Sequence, residues 1–296
     1  MDDNFTTLDL DVWTRYVQLD GFGTGSFDWT TEDSRNSYVD DDGLHIVPTM
    51  TLETSNITYR QLTNNYTMNL TSTTCTARSH FMTSYSELND TCTSTSNSTL
   101  GTIINPVRSA RLSTKGKKSI KYGRVEVVAK LPRGDWLWPA IWMLPEHNTY
   151  GDWPASGEID LSETRGNDRT YTSGRDRSGS TLHWGTDSTN DAWYKTYNTF
   201  TMKQGDFSDD FHTFGMEWSE EYLFTWIDNR NNKLLNVNFG SKYGTLWERG
   251  NFANDISEGT VPVDPWSQTG RYNTPFDESF YLILNVAVGS TSGYFT

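Results

Sequence analysis

The sequence is short of cysteine, of positive charge and of long apolar runs, and each shortage narrows what the protein can be. Only two cysteines, Cys75 and Cys92, occur in 296 residues. They allow one disulfide or two buried thiols. A four-ligand zinc site finds only His80 nearby as a third ligand. Lys and Arg number 24 against 38 Asp and Glu, a net charge of −14. Such a surface repels phosphate backbones and anionic lipid, which excludes nucleic acid and a membrane surface as expected partners and suits a neutral or cationic substrate. No run of 18 apolar residues is present, so no helical membrane span is expected. The opening MDDNFTTLDLDVW has no apolar core of a signal peptide; if the protein is exported, its leader has been removed and Met1 is not the natural start. Amphipathic helical patterns of ten residues or more are missing too.

What is present begins with Asn-x-Ser/Thr sequons at Asn4, Asn56, Asn65, Asn69, Asn89 and Asn97. One sequon is weak evidence of glycosylation, but six before residue 100 point to an extracellular chain. In that compartment Cys75 and Cys92 most simply pair, closing a loop of about 15–20 residues worth roughly 3 kcal/mol. Residues 54–100 are rich in Ser, Thr and Asn and poor in large aliphatics. This composition buries little core, so the segment is expected to be a glycan-bearing surface insert in one domain spanning 1–296.

Beyond residue 103 the pattern is that of strands. Val125, Val127, Ala129 and Leu131 alternate, as do Phe214, Met216 and Trp218. Leu223–Asp228 and Leu234–Phe239 flank a polar turn and predict a hairpin. Phe280–Val288 reads as a strand buried on both faces. The class is all-β, and the length favours a sandwich of two large antiparallel sheets.

One stretch, GEIDLSE at 157–163, crowds Glu158, Asp160 and Glu163 together. On a strand Glu158 and Asp160 share a face, and Glu163 falls on the other. A single β-bulge near Leu161–Ser162 restores it to the side of Glu158 and leaves Ile159 and Leu161 facing the core. The two glutamates are then roughly 13 Å apart along a straight strand, whereas a retaining glycosidase needs its carboxyl groups about 5–5.5 Å apart. Strand curvature and inward-leaning side chains could close that gap. Converging acids cannot all ionise cheaply, so one can hold a proton while another attacks. The alternative is an acidic edge that resists aggregation.

Around the ladder, GDWLWPAIWMLP (134–145), GDWPASGEIDLSETRGN (151–167) and STLHWG (180–185) occur in order, flanked by NPVRSARLSTKGKKSIKYGRVEVVAKLPRGDW (105–136) and FYLILNVAVG (280–289). Over residues 103–289 the chain resembles glycoside hydrolase family 16, in its laminarinase-like branch with Glu-x-Asp-x-x-Glu, and the insert resembles that of fungal members. The resemblance implies a curved β-jelly-roll sandwich with a concave substrate cleft. It implies internal cutting of β-1,3-glucan with retention, with Glu158 as nucleophile, Glu163 as general acid/base and Asp160 assisting. A transglycosylase on the same site, or a non-catalytic glucan-binding module, are the competing functions.

Sugar C–H faces pack on aromatic rings. By the matching positions Trp138, Trp142 and Trp153 stack on substrate, although core packing accounts for most of the 12 tryptophans, Trp218 and Trp226 included. His183 matches a position beside the acids, or serves structure alone. Arg111 matches an arginine reaching substrate hydroxyls, with a surface salt bridge as its alternative. The family likeness calls for no catalytic cofactor and leaves room for a structural calcium. Two departures stand out. Ser162 takes a place commonly apolar, which would make the cleft floor more polar. GSTSGYFT ends the chain where the family continues through an aromatic loop and a final strand, so those residues are expected on a separate polypeptide or in a longer form of this chain; otherwise the protein is expected to be a monomer.

Overall fold

The computed structural model describes residues 1–71, 74–77, 91–254 and 262–295. Asn89 and His80 lie outside the described residues. The chain divides into two compact units, one of Met1–Lys117, Trp136–Pro139 and Leu284–Thr296, the other of Lys118–Asp135 and Ala140–Ile283. Among the described residues the longest helices, Tyr59–Thr63 and Leu246–Gly250, have five residues each. No described helix is long and apolar enough to cross a membrane.

Among the described residues, nine short strands lie wholly in the first unit: β1 (Thr14–Arg15), β2 (Asp28–Thr30), β3 (Ser37–Asp40), β4 (Gly43–Ile46), β5 (Thr49–Met50), β6 (Tyr66–Asn69), β7 (Thr93–Ser96), β8 (Val107–Ser109) and β9 (Arg111–Ser113). All its described pairings but one are antiparallel; β2 runs parallel to β8. The segment 54–100 is less bare than its composition suggests. Its strands β6 and β7 pair, and Leu62 and Met68 join Leu19, Trp29 and Ile104 in a buried cluster, with Ile57, Tyr66 and Leu70 packed against it. A few apolar side chains, spaced to one side of a helix turn and a hairpin, are enough to close a small core. The Cys75–Cys92 disulfide is present, with Cα atoms 5.9 Å apart. Asn4, Asn56, Asn65 and Asn69 are exposed and Asn97 is half-buried.

The second unit is a sandwich. It opens with the two-residue strand β10 (Ser119–Ile120), and one sheet runs through β12 (Leu137–Pro145, from Ala140 onward in this unit), β13 (Glu158–Thr164), β14 (Arg177–His183) and β15 (Tyr197–Thr201). The other runs through β11 (Gly123–Ala129), β16 (His212–Trp218), β17 (Tyr222–Ile227) and β18 (Lys233–Asn238). Both are antiparallel, and the expected hairpin is the β17–β18 pair. Alternation dictates the packing: Phe214, Met216 and Trp218 are at most 1% exposed, as is Trp226. These two indoles are structural, and Trp218 donates its Nε1–H to the Phe276 carbonyl at 3.1 Å. Gly215 is required where it stands, since a Cβ there would lie 2.1 Å from the Trp226 ring. Polar residues also stitch the sheets together, Thr225 Oγ1 lying 2.8 Å from Ser180 Oγ and Asn198 Nδ2 donating to the Leu234 carbonyl.

Candidate active site

The acid ladder is β13, and its register explains its geometry. Asp160 faces Trp142 on β12, whereas the next paired residue, Ser162, faces Ile141. On the other side Asp160 faces Thr181 and Glu163 faces Gly179. Leu161 and Ser162 together therefore oppose a single residue, and the strand carries the expected bulge. Its consequence shows in the burial. Ile159 and Leu161 are buried at 0% and 1% exposure, while Glu158 and Glu163 are both half-open. The bulge has re-aimed Glu163 out of the core. Ser162 does not behave as expected. It is 1% exposed and its hydroxyl is engaged by Ser178 Oγ at 2.8 Å, so its polarity goes to the interior and not to the acid face.

Asp160, between the glutamates, is 2% exposed. Burial, reinforced by the negative charge of Glu163, pushes its carboxyl up to about 6, and contacts to His183 and Glu158 only partly offset this. His183 stands directly across from Glu158 on β14. Its Nε2 lies 3.4 Å from Asp160 Oδ2, a charge contact rather than an aligned hydrogen bond. Its Nδ1 lies 2.6 Å from Asp191 Oδ2. Burial alone would favour the neutral ring, but Asp160, Asp191 and the charge of Glu158 outweigh it and hold the imidazole well above its ordinary value. A protonated His183 thus bridges two carboxylates.

Asp191 was not legible as a site residue. Its Oδ1 also accepts the backbone N–H groups of Trp184 and Trp193, each at 3.2 Å. The loop after β14 brings it there by bridging Gly185 to Asp191. A side chain at Gly185 would put Cβ 2.2 Å from the Asn190 carbonyl oxygen, so the glycine of the LHWG string is what permits the closure. The same loop delivers Trp193, 41% exposed, whose ring lies 6.4 Å from that of His183 and 5.6 Å from that of Tyr197. NDAWY carries no spacing signal that would have singled either residue out.

The tryptophans separate. Trp153 is 43% exposed, donates Nε1–H to Glu158 Oε2 at 2.8 Å and lies 5.6 Å from the His183 ring. Trp142 is half-buried in the register position beside Asp160. Both belong to the acid site. Trp138 belongs to the other unit, where it stacks on Tyr294 with centroids 3.8 Å apart and planes 7° from parallel. Arg111 is in that unit as well. It is not a surface salt-bridge residue: it is 6% exposed, with its guanidinium 3.9 Å over the Phe22 ring. The structure thus brings Glu158, Asp160, His183, Trp142 and Trp153 together, with Glu163 on the same strand. Glu158, Asp160 and His183 each offer an atom within 4.8 Å of the others, a spacing that could also serve a metal ion.

The model for "Glycosyl hydrolases family 16" matches residues 27–270. The chain is 38% identical over 299 residues, 99% of its length and 75% of the relative's, to a beta-1,3-glucan-binding protein of Penaeus monodon. It is 36% identical over 61% of its length to a glucan endo-1,3-beta-glucosidase of Cryptopygus antarcticus, of which it spans 55%. The laminarinase catalytic domain of Thermotoga maritima superposes with a TM-score of 0.59 at 24% identity, covering 100% of this chain and 87% of that one, and shares its all-β jelly-roll fold. These relatives do not show the fungal placement that the sequon-bearing insert suggests. Taken with the bulged acid strand, they show that the chain belongs to glycosyl hydrolase family 16.

Proposed function

We propose that the protein is a secreted, endo-acting β-1,3-glucan hydrolase that works with retention through a glycosyl-enzyme. The observation that carries this reading is the bulge in β13, which turns Glu158 and Glu163 to one side of a rigid strand and leaves Asp160 buried between them. Glu163 protonates the leaving oxygen while Glu158 attacks the anomeric carbon and forms an ester. Esterification removes the charge of Glu158, so Glu163, now ionised, can take a proton from water and release the sugar. Asp160 serves as a charge buffer: when Glu163 becomes anionic, the nearby carboxyl holds its proton more tightly. Trp153 orients the nucleophile through its indole N–H, and together with Trp142 it offers rings for sugar faces.

This chemistry needs no cofactor, and a structural calcium would lie outside it. The partner is the polysaccharide itself, met by a monomer. Transfer to a sugar acceptor instead of water is the finer alternative on the same carboxylates.

A second reading, glucan binding without turnover, is favoured by the name and near-complete coverage of the Penaeus monodon relative. The two part on one experiment, incubation with a linear β-1,3-glucan oligosaccharide and mass spectrometry of product lengths. Shorter products that vanish in Glu158→Ala, with oligosaccharide affinity kept within a few fold, are expected. Products longer than the input would favour transfer. Binding with no products would leave the non-catalytic reading.

A further inference from the structure

His183 is held as metal-binding histidines are held. In such sites one ring nitrogen faces the ion while the other donates to a carboxylate that fixes tautomer and orientation. Here Nδ1 meets Asp191 Oδ2 at 2.6 Å, and Asp191 is itself pinned by two backbone N–H groups. Nε2 is thereby aimed at Asp160 and Glu158. Its 3.4 Å separation from Asp160 Oδ2 matches the edge of a tetrahedron with zinc–ligand bonds near 2.0–2.1 Å, about 3.3–3.4 Å. Asp160 supplies a second sign. It is 2% exposed, and its Oδ2 is a buried oxygen with no hydrogen bond, met only by the charge contact from His183 at 3.4 Å, which leaves a buried carboxylate oxygen short of close partners. Glu158 offers an oxygen within 4.8 Å of both. Its flexible side chain needs to close by about 1.4 Å at most to complete three ligands. The half-open Glu158 and His183 leave a way in and a fourth position for water.

We propose that Glu158, Asp160 and His183 form a binding site for a divalent transition-metal ion, with zinc the best match, oriented through Asp191. One imidazole and two carboxylates suit zinc or copper better than calcium or magnesium, which prefer all-oxygen sets. Three protein ligands and one open position make the site exchangeable. Binding displaces the Nε2 proton of His183 to solvent and leaves the Nδ1–H on Asp191; occupancy excludes substrate from Glu158, so zinc acts as a reversible brake on the site. That consequence rests on the function proposed above, whereas the binding itself does not.

The test uses tag-free protein and two probes, Zn2+ by calorimetry and Co2+ by visible absorption. One ion per chain is expected, with the intense bands of four-coordinate cobalt. A β-1,3-glucan oligosaccharide in excess should displace it. Asp191→Asn should weaken binding about 10–100-fold, and His183→Gln should abolish the stoichiometric site, near-ultraviolet circular dichroism confirming that both are folded. No saturable binding by wild type, a six-coordinate cobalt spectrum, or affinity unchanged in folded His183→Gln would each overturn the site. The wild-type spectrum decides even if a variant fails to fold. Metal binding without any effect on turnover would leave the site standing and count against the catalytic reading alone.

Discussion

Asp160 has almost no water to share its charge with, and its proton affinity is the most informative property of the site. Its folded carboxyl titrates near 6 against an ordinary 3.8, through burial and the charge of Glu163. The folded state therefore binds the proton more tightly than the unfolded chain. Any stability due to Asp160 is present at low pH and falls as pH rises from about 4 through about 6. Asp160→Asn should be flatter than wild type across that window in unfolding midpoints measured against pH; an equally steep variant would contradict the assignment. His183 acts higher on the scale. Its raised value contributes stability that is complete below 6.5 and is lost as pH rises through the folded value. At the same scale, Glu158→Ala should lower turnover by three orders of magnitude or more, about 4 kcal/mol of transition-state stabilisation, with little change in stability because the side chain is half-open.

Among the elements, the bulged strand was legible in the sequence because side-chain alternation has a fixed period. Isoleucine and leucine must go in, so the acids must take the opposite face, and one extra residue is the least that reconciles Glu163 with that rule. The β11 and β16 strands and the β17–β18 hairpin were legible for the same reason. Asp191 and Trp193 were not, because a loop closure at Gly185 is decided by contacts that leave no periodic trace. Arg111 and Ser162 looked surface-facing or site-facing by type, but the structure uses one as a stacked buried cation and the other as an interior hydrogen-bond partner. Packing at this scale also gives a prediction. The Trp226 ring lies where a Gly215 side chain would be, so Gly215→Ala should overpack the β16–β17 face and cost about 1–3 kcal/mol. A thermal midpoint unchanged from wild type would show that the ring can move away freely.

For the whole molecule, the disulfide and the net charge set expectations of different kinds. Cys75–Cys92 closes a loop with a sequence separation of 17, and its loss should cost about 3 kcal/mol by the chain-entropy estimate. Both cysteines belong to the first unit and the acid ladder to the second. Reduction, or Cys75→Ala with Cys92→Ala, is expected to lower the unfolding midpoint while the kcat of the remaining folded protein stays within about two-fold; a proportionate fall in kcat would tie the acid site to the disulfide. On the proposed reading, a chain of net charge −14 meets a neutral sugar polymer and gains nothing from electrostatic steering, which agrees with a site built from carboxylates, an imidazole and aromatic rings.

The central claim is double displacement by Glu158 and Glu163, and the anomeric configuration of the first product tests it most directly. A proton NMR time course on a β-1,3-glucan oligosaccharide should show the β-anomer appear first and decay to the α/β equilibrium by mutarotation. An α-anomer appearing first would mean single displacement by water and would contradict the role given to Glu158.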